Sequence, residues 1–407
     1  MTAGYDGEVG GGSQPAPPRT TESVVGEFLA DHGQRLVEVR RDLHAHPELS
    51  REERRTTDLV ADALSHVGLS PRPLPSGTGL VCDVGPEPPT VALRADLDAL
   101  PIPDTKNVSY RSTVDGVAHA CGHDVHTAIV LGSGLALQRL AARGELNRGV
   151  RLVFQAAEEV QPGGALDVID AGGLDGIERM YAVHCDPTVD VGQIGLLAGP
   201  ITSASDHIEV RLTGPGGHTA RPYLTADLVT ALGAVVTEVP ALLSRRVDPR
   251  AGVVLVWGQV SAGTAANAIP QSGVVRGTLR TLSYEAWQSL PSLVADLIRS
   301  VGAPYGVGVE ITHVRGVPPV NNEKTSVELL DQATRAAVTG ASVVPTRQSL
   351  GGEDFAWYLE RVPGALARLG VRSPGSTIPM DLHQSAFDVD ERCISVGVQL
   401  LAGVSQR

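Results

Sequence analysis

The chain has 407 residues, too many for one small core, so two domains are the natural expectation. Its composition (42% hydrophobic, 19% charged) is that of a globular protein, and a formal charge of −13 disfavours nucleic acid and anionic membrane surfaces as partners. No run of eighteen or more apolar residues suggests a membrane span, and four cysteines without framework spacing (Cys82, Cys121, Cys185, Cys393) argue for a reducing cytoplasm rather than a disulfide scaffold.

Residues 1–20 are rich in Gly, Pro, Ser and Thr and lack the basic start and apolar run of a signal peptide, so they read as a disordered tail. Helical periodicity follows over 22–43 and from about Glu52 to Val67. Short apolar runs at 79–84, 90–95, 150–155 and 179–184 read as strands, several of them separated by helical material such as 125–143. That alternation predicts an α/β fold with a mostly parallel sheet, whose strand carboxyl ends should collect functional groups. Residues 205–315 differ. A strand at 206–214, a helix at 224–244, strands at 252–261 and 273–282, a helix at 284–300 and a strand at 306–313 give the βαββαβ order of a ferredoxin-like unit. This unit is expected as an inserted domain over 202–316, with 21–201 and 317–407 together forming the first domain.

Four segments carry reactive side chains. "ACGHDVHTA" (120–128) offers Cys121, His123, Asp124 and His126 at the start of a predicted helix. Thiolate and imidazole suit a borderline metal, although Asp124 as a helix cap and a buried cysteine would explain the same residues. "LVFQAAEE" (152–159) ends a buried-looking strand on Glu158 and Glu159. Adjacent glutamates are usually solvated charges, but at that position one can bind metal while the other polarises water. "MYAVHCDP" (180–187) ends another predicted strand on His184, and "MDLHQSAFDVDE" (380–391) places His383 far along the chain. Together they supply one thiolate, one carboxylate and three imidazoles, more than a tetrahedral structural zinc uses, which favours a two-metal catalytic site. "RADLDALP" (94–101) sets Asp96 and Asp98 on one strand face, where Asp98 could orient a ligating imidazole. His44 and His46 of "RRDLHAHPELS" read as packing and helix-end residues.

From about Arg40 to residue 400 the chain resembles the aminoacylase and carboxypeptidase superfamily of two-metal hydrolases, and within it the amidohydrolase branch. That branch includes N-acyl-amino-acid amidohydrolases, hippurate hydrolases and hydrolases of indole-acetyl amino acids. The resemblance rests on "LHAHPELS", "RADLDALP", "CGHDVHTA", "FQAAEE", "VHCDP", "GPGGHTARP", "GTAANAIP", "GGEDFAWY" and "LHQSAF", in that order. It implies Cys121, His123, Glu159, His184 and His383 as ligands of two divalent ions, with Glu158 as the general base. Zinc or manganese suits such a set, and cobalt or nickel also fits. The resemblance further implies a lid domain that forms a homodimer, His218 as oxyanion donor in its own or the partner's site, and Asn267 and Arg280 as substrate contacts. The substrate expected is a small N-acyl amino acid or a dipeptide-like amide.

The chain departs from the branch at Tyr223, where relatives often carry histidine, at Arg221, at Cys185 and at Ala156. None of these removes a ligand or the base. The same scaffold also serves dipeptidases and carboxypeptidases, and a non-catalytic metal-binding relative is a more distant reading, weakened by the presence of Glu158. A cysteine hydrolase built on Cys121 is weaker still, since the thiol sits among ligands without a separate base.

Overall fold

The computed structural model describes residues 20–337, 342–377 and 380–407. The expected tail lies outside these residues except for Thr20, whose side chain caps the first helix by accepting the Ser23 N–H at 3.2 Å.

Four parallel strands form the centre of an eight-stranded mixed sheet, in the spatial order Gly149–Gln155, Pro89–Asp96, Arg179–Asp190, Gly364–Arg372. Leu80–Val84 and Arg72–Pro73 extend one side antiparallel, and Gln193–Leu196 and Ser342–Pro345 extend the other. The central strands are buried on both faces, which explains why they read as continuous apolar runs. One face is covered by the helices Thr21–Ala45, His123–Ala142 and Arg392–Val404. Close approach there needs Gly132, where a Cβ would meet Leu36 and Val398 at 2.6 and 2.9 Å.

The inserted unit has four antiparallel strands in the order Gly308–Val317, Ala204–Thr213, Ser272–Thr281, Val254–Ala262, which is the ferredoxin-like arrangement. The helices Leu228–Arg246 and Tyr284–Gly302 start at the caps Asp227 and Ser283 and bury Val235, Leu290 and Ile298 against the sheet as a separate core. Val254–Ala262 is left at the edge, with Val256 and Val260 exposed. Two helices, His123–Ala142 and Leu228–Arg246, are long and apolar enough to cross a membrane by length and composition. The first is a core helix and the second packs one face on the four-stranded sheet, so each has a folding reason for its apolarity.

Candidate active site

The floor of the site is held by Arg94, on the strand Pro89–Asp96. Its buried guanidinium donates to Asp96 (2.6 Å), Gln155 (3.0 Å) and Asp354 (2.7 Å) and pairs with Glu353 at 3.2 Å. It thereby joins two strand ends to the loop before the short helix Ala356–Leu359. Asp96 in turn accepts His126 Nδ1–H at 2.6 Å, while His126 Nε2 accepts the Cys185 N–H at 2.9 Å. Both nitrogens of His126 are engaged, and the tautomer is set by the backbone donor.

His123 stands at the first turn of the buried helix, directly after Gly122. Gly122 has φ +89°, and a Cβ there would lie 2.7 Å from Cys185 Sγ. His123 Nδ1–H donates to the Asp98 main-chain carbonyl at 2.8 Å, with the Asp98 carboxylate at 3.3 Å. Asp98 thus orients the ring through its backbone more than through its side chain, which accepts Ser50 Oγ–H (2.6 Å) and the Glu159 N–H (2.9 Å). His123 Nε2 has three carboxylates around it, Asp96 at 3.6 Å, Glu159 at 3.8 Å and Glu158 at 4.0 Å. Buried inside the site, His123 Nε2 and Glu159 Oε1 have no hydrogen-bond partner among the described residues.

The glutamate pair is presented by a strained turn: Ala157 adopts φ +57°, its N–H donating to Glu53 at 2.7 Å and its carbonyl accepting the Gly164 N–H at 2.9 Å. His184 was expected at a strand end, yet its strand continues to Asp190. The pairing with Pro89–Asp96 stops at Ala182, and that break opens the sheet where His184 stands. Its Nδ1–H donates to the Cys185 carbonyl at 2.9 Å, leaving Nε2 3.6 Å from Cys121 Sγ. His383, also with positive φ (+61°), is anchored by its N–H to the Ala120 carbonyl at 2.8 Å, and its Nε2 lies 3.5 Å from Glu159.

These side chains form two donor groups, Cys121–His123–His184 and Cys121–Glu159–His383, each with ligand atoms within 4.8 Å of one another. Cys121 belongs to both. Two partnerless buried atoms and a soft-and-hard donor set sharing one thiol fit two divalent cations. The electrostatics agree. Burial, with Glu353 and Glu159 beside it, pushes Glu158 well above the usual carboxylate range, and burial raises Glu159 and Cys121. Burial and the adjacent Arg368 hold His184 well below the usual imidazole range. Without cations the cluster is a set of buried acids reluctant to ionise.

The cluster opens into a cleft of about 300 Å³, whose wall includes Gln161, Thr202, Arg280 and Arg368. Arg280 donates to the Leu350 carbonyl across the domain junction. His218 and Asn267 do not line this cleft. They sit together on the inserted unit, where Gly217–His218 pairs with Ala268–Ile269 and the Thr219 N–H donates to the Asn267 carbonyl at 3.3 Å. His218 is exposed there, as is Tyr223 at 80%. A larger groove of about 1360 Å³ between the first three helices is lined by ordinary solvated helix faces such as Glu38, Asp42 and Arg55. Residue-by-residue reading of the sequence gave no role to Arg94, Glu53, Glu353, Asp354 or Arg368. "GGEDFAWY" was a signal for Glu353 and Asp354 and "RADLDALP" for Arg94; nothing local marks Glu53 or Arg368.

The family model for peptidase family M20/M25/M40 matches residues 92–407. A Rhodococcus jostii (strain RHA1) protein provisionally named glutamate–cysteine ligase 2-3 is 51% identical over 91% of this chain, and this chain spans only 46% of its length. N-acetylcysteine deacetylase of Bacillus subtilis (strain 168) is 36% identical, over 90% of this chain and 95% of that protein. Among solved structures, a dinuclear-metal-binding peptidase of the M20 family from Bacillus subtilis superposes with a TM-score of 0.81 at 33% identity, covering 92% of this chain and 98% of its own.

Proposed function

The chain belongs to peptidase family M20/M25/M40 and is a metal-dependent hydrolase, and from that premise we propose that it cleaves the amide bond of small N-acyl amino acids. The observation that carries the reading is Glu158, a largely buried carboxylate 4.0 Å from His123 Nε2 that lies outside both donor groups built on Cys121, although it also clusters with Glu159 and with Glu353 and Asp354. In this proposal Cys121, His123 and His184 hold one divalent cation and Cys121, Glu159 and His383 the other. Bound there, the cations supply Lewis acidity that lowers the pKa of water and polarises a carbonyl oxygen. Glu158 takes the proton of the attacking water and returns it to the leaving amine nitrogen. Arg280, on the cleft wall, holds the substrate carboxylate.

Supporting the N-acyl reading is the likeness to N-acetylcysteine deacetylase, so N-acetylcysteine belongs first in the substrate panel. The exposed placement of His218 and Asn267 supports a homodimer in which one lid serves the partner's cleft, and the edge strand Val254–Ala262 with its exposed valines supplies a surface for pairing. Four free, buried cysteines favour a cytoplasmic setting.

The test is Glu158→Gln. It should retain two metals per chain while its turnover of the N-acyl amino acid panel falls by about a hundredfold or more, the scale of general-base loss. Turnover within a few-fold of the parent would remove Glu158 from the role.

A further inference from the structure

Arg368 lies on the strand Gly364–Arg372, in register beside His184, and is 6% exposed. The other described buried arginines are saturated. Arg40 meets Asp124, Asp388 and Glu391; Arg94 meets Asp96, Glu353 and Asp354; Arg151 meets Asp83 and three carbonyls. Arg368 has no such partner. Among the described residues no carboxylate comes within ion-pair reach of its guanidinium and no acceptor takes its hydrogen bonds, although it lines the same cleft as Cys121, His184 and Arg280.

The Arg368 stem is buried while its guanidinium opens onto the cleft, where a carboxylate can replace the water that otherwise satisfies it. Its neighbours sharpen the point. Asp186 and Glu353 act on it only through space, beyond ion-pair reach. The planar fork of a guanidinium matches a carboxylate in two parallel hydrogen bonds. Arg280 offers a second guanidinium to the same small cleft from the lid side.

We propose that Arg368 is a substrate-binding residue for a carboxylate, and that the preferred substrate is an amide carrying two carboxylates, one for Arg280 and one for Arg368. This rests on the amidohydrolase reading given above. The second carboxylate can stand in the acyl group, as in N-glutaryl amino acids, or in the amino-acid side chain, as in N-acyl glutamate.

Binding is measured first on the metal-loaded full chain, by calorimetry with glutarate and its monocarboxylate counterpart pentanoate. The parent should bind glutarate about ten- to hundredfold more tightly, the range of a charge-assisted pair. Arg368→Met should lose most of that preference with metal content unchanged, and Arg368→Lys should recover part of it. Kinetics then place the group. A kcat/KM preference for N-acetylglutamate over N-acetylglutamine that Arg368→Met abolishes puts the carboxylate in the side chain. The same result for N-glutarylmethionine over N-pentanoylmethionine puts it in the acyl group. Equal binding of glutarate and pentanoate by the parent overturns the proposal even if the variants fail to fold, as does a preference that survives in Arg368→Met. Loss of all cleavage with the Arg368-dependent glutarate preference intact would sink the hydrolase reading and leave this one standing.

Discussion

Arg40 offers the most direct test of how the site is held together. It lies on the first helix, fully buried, and donates to Asp124 at 2.8 Å, Asp388 at 3.1 Å and Glu391 at 3.3 Å. One side chain therefore ties that helix to the turn carrying His123 and to the segment following His383. Asp124 also accepts His44 Nδ1–H at 2.7 Å, and Lys106 donates to both His44 Nε2 and the Phe387 carbonyl at 2.7 Å. Arg40→Met keeps the length and removes the charge. Asp388 and Glu391 are partly exposed, so water can replace much of what they lose. Asp124 is not exposed and would be left as a buried carboxylate with His44 alone. Stranding one partner of a buried pair costs about 3–5 kcal/mol, and Asp124 should account for nearly all of it. Urea unfolding, with hydrogen-exchange protection of the His123–Ala142 amides as the local readout, measures the loss. Adding Asp124→Asn should recover a substantial part by removing the stranded charge. A loss below about 1 kcal/mol, or no relief from the second change, would refute the argument that this pair fastens the site.

Removing the metals with a chelator should expose the strain among the buried acids. Burial, reinforced by Glu353, raises Asp354 to about 7, and burial also raises Glu158. The folded metal-free protein therefore binds protons that the unfolded chain releases above about pH 4. Its melting temperature should fall as pH rises from about 5 to 8, and reloading should flatten that slope; a pH-independent metal-free melt would contradict it. Gly122→Ala forces a Cβ at φ +89° to within 2.7 Å of Cys185 Sγ, so it should cost about 1–3 kcal/mol and lower metal content by displacing His123. Full metal occupancy in that variant would show the turn to be more yielding. His218→Ala should lower turnover about a hundredfold while keeping its metals. Mixing it with Glu158→Gln should restore activity if one lid serves the partner's cleft, and no recovery after subunit exchange would place His218 in its own chain's site.

The α/β alternation, the ferredoxin-like insertion and most strand positions were legible in the sequence because periodicity and burial are local consequences of backbone geometry. The strands Pro89–Asp96 and Gly149–Gln155 read as apolar runs because both faces are covered, and the inserted unit's βαββαβ order shows in the alternation of its strands. Cys121, His123, Glu158, Glu159, His184 and His383 were legible as candidates, since reactive side chains at element boundaries stand out from the pattern around them, and the fold brings them together. That one thiol is shared was implied only by the family resemblance, and which side chains group with it depends on distances among segments up to 262 residues apart, from Cys121 to His383.

Tertiary structure alone decided the rest. His184 looked like the end of a strand, and only the pairing register shows that its strand continues while its neighbour stops. His126 looked as available as His123 until the Cys185 N–H and Asp96 occupied both its nitrogens. Arg94 and Arg368 sit on similar apolar strands, yet one is paired with three acids while the other lines a cleft whose carboxylates all lie beyond ion-pair reach of it. A sequence fixes which groups a chain carries and the local geometry that presents them. Whether a buried charge has a partner is set by which distant segments the fold brings within about 4 Å, a distance that no local pattern encodes.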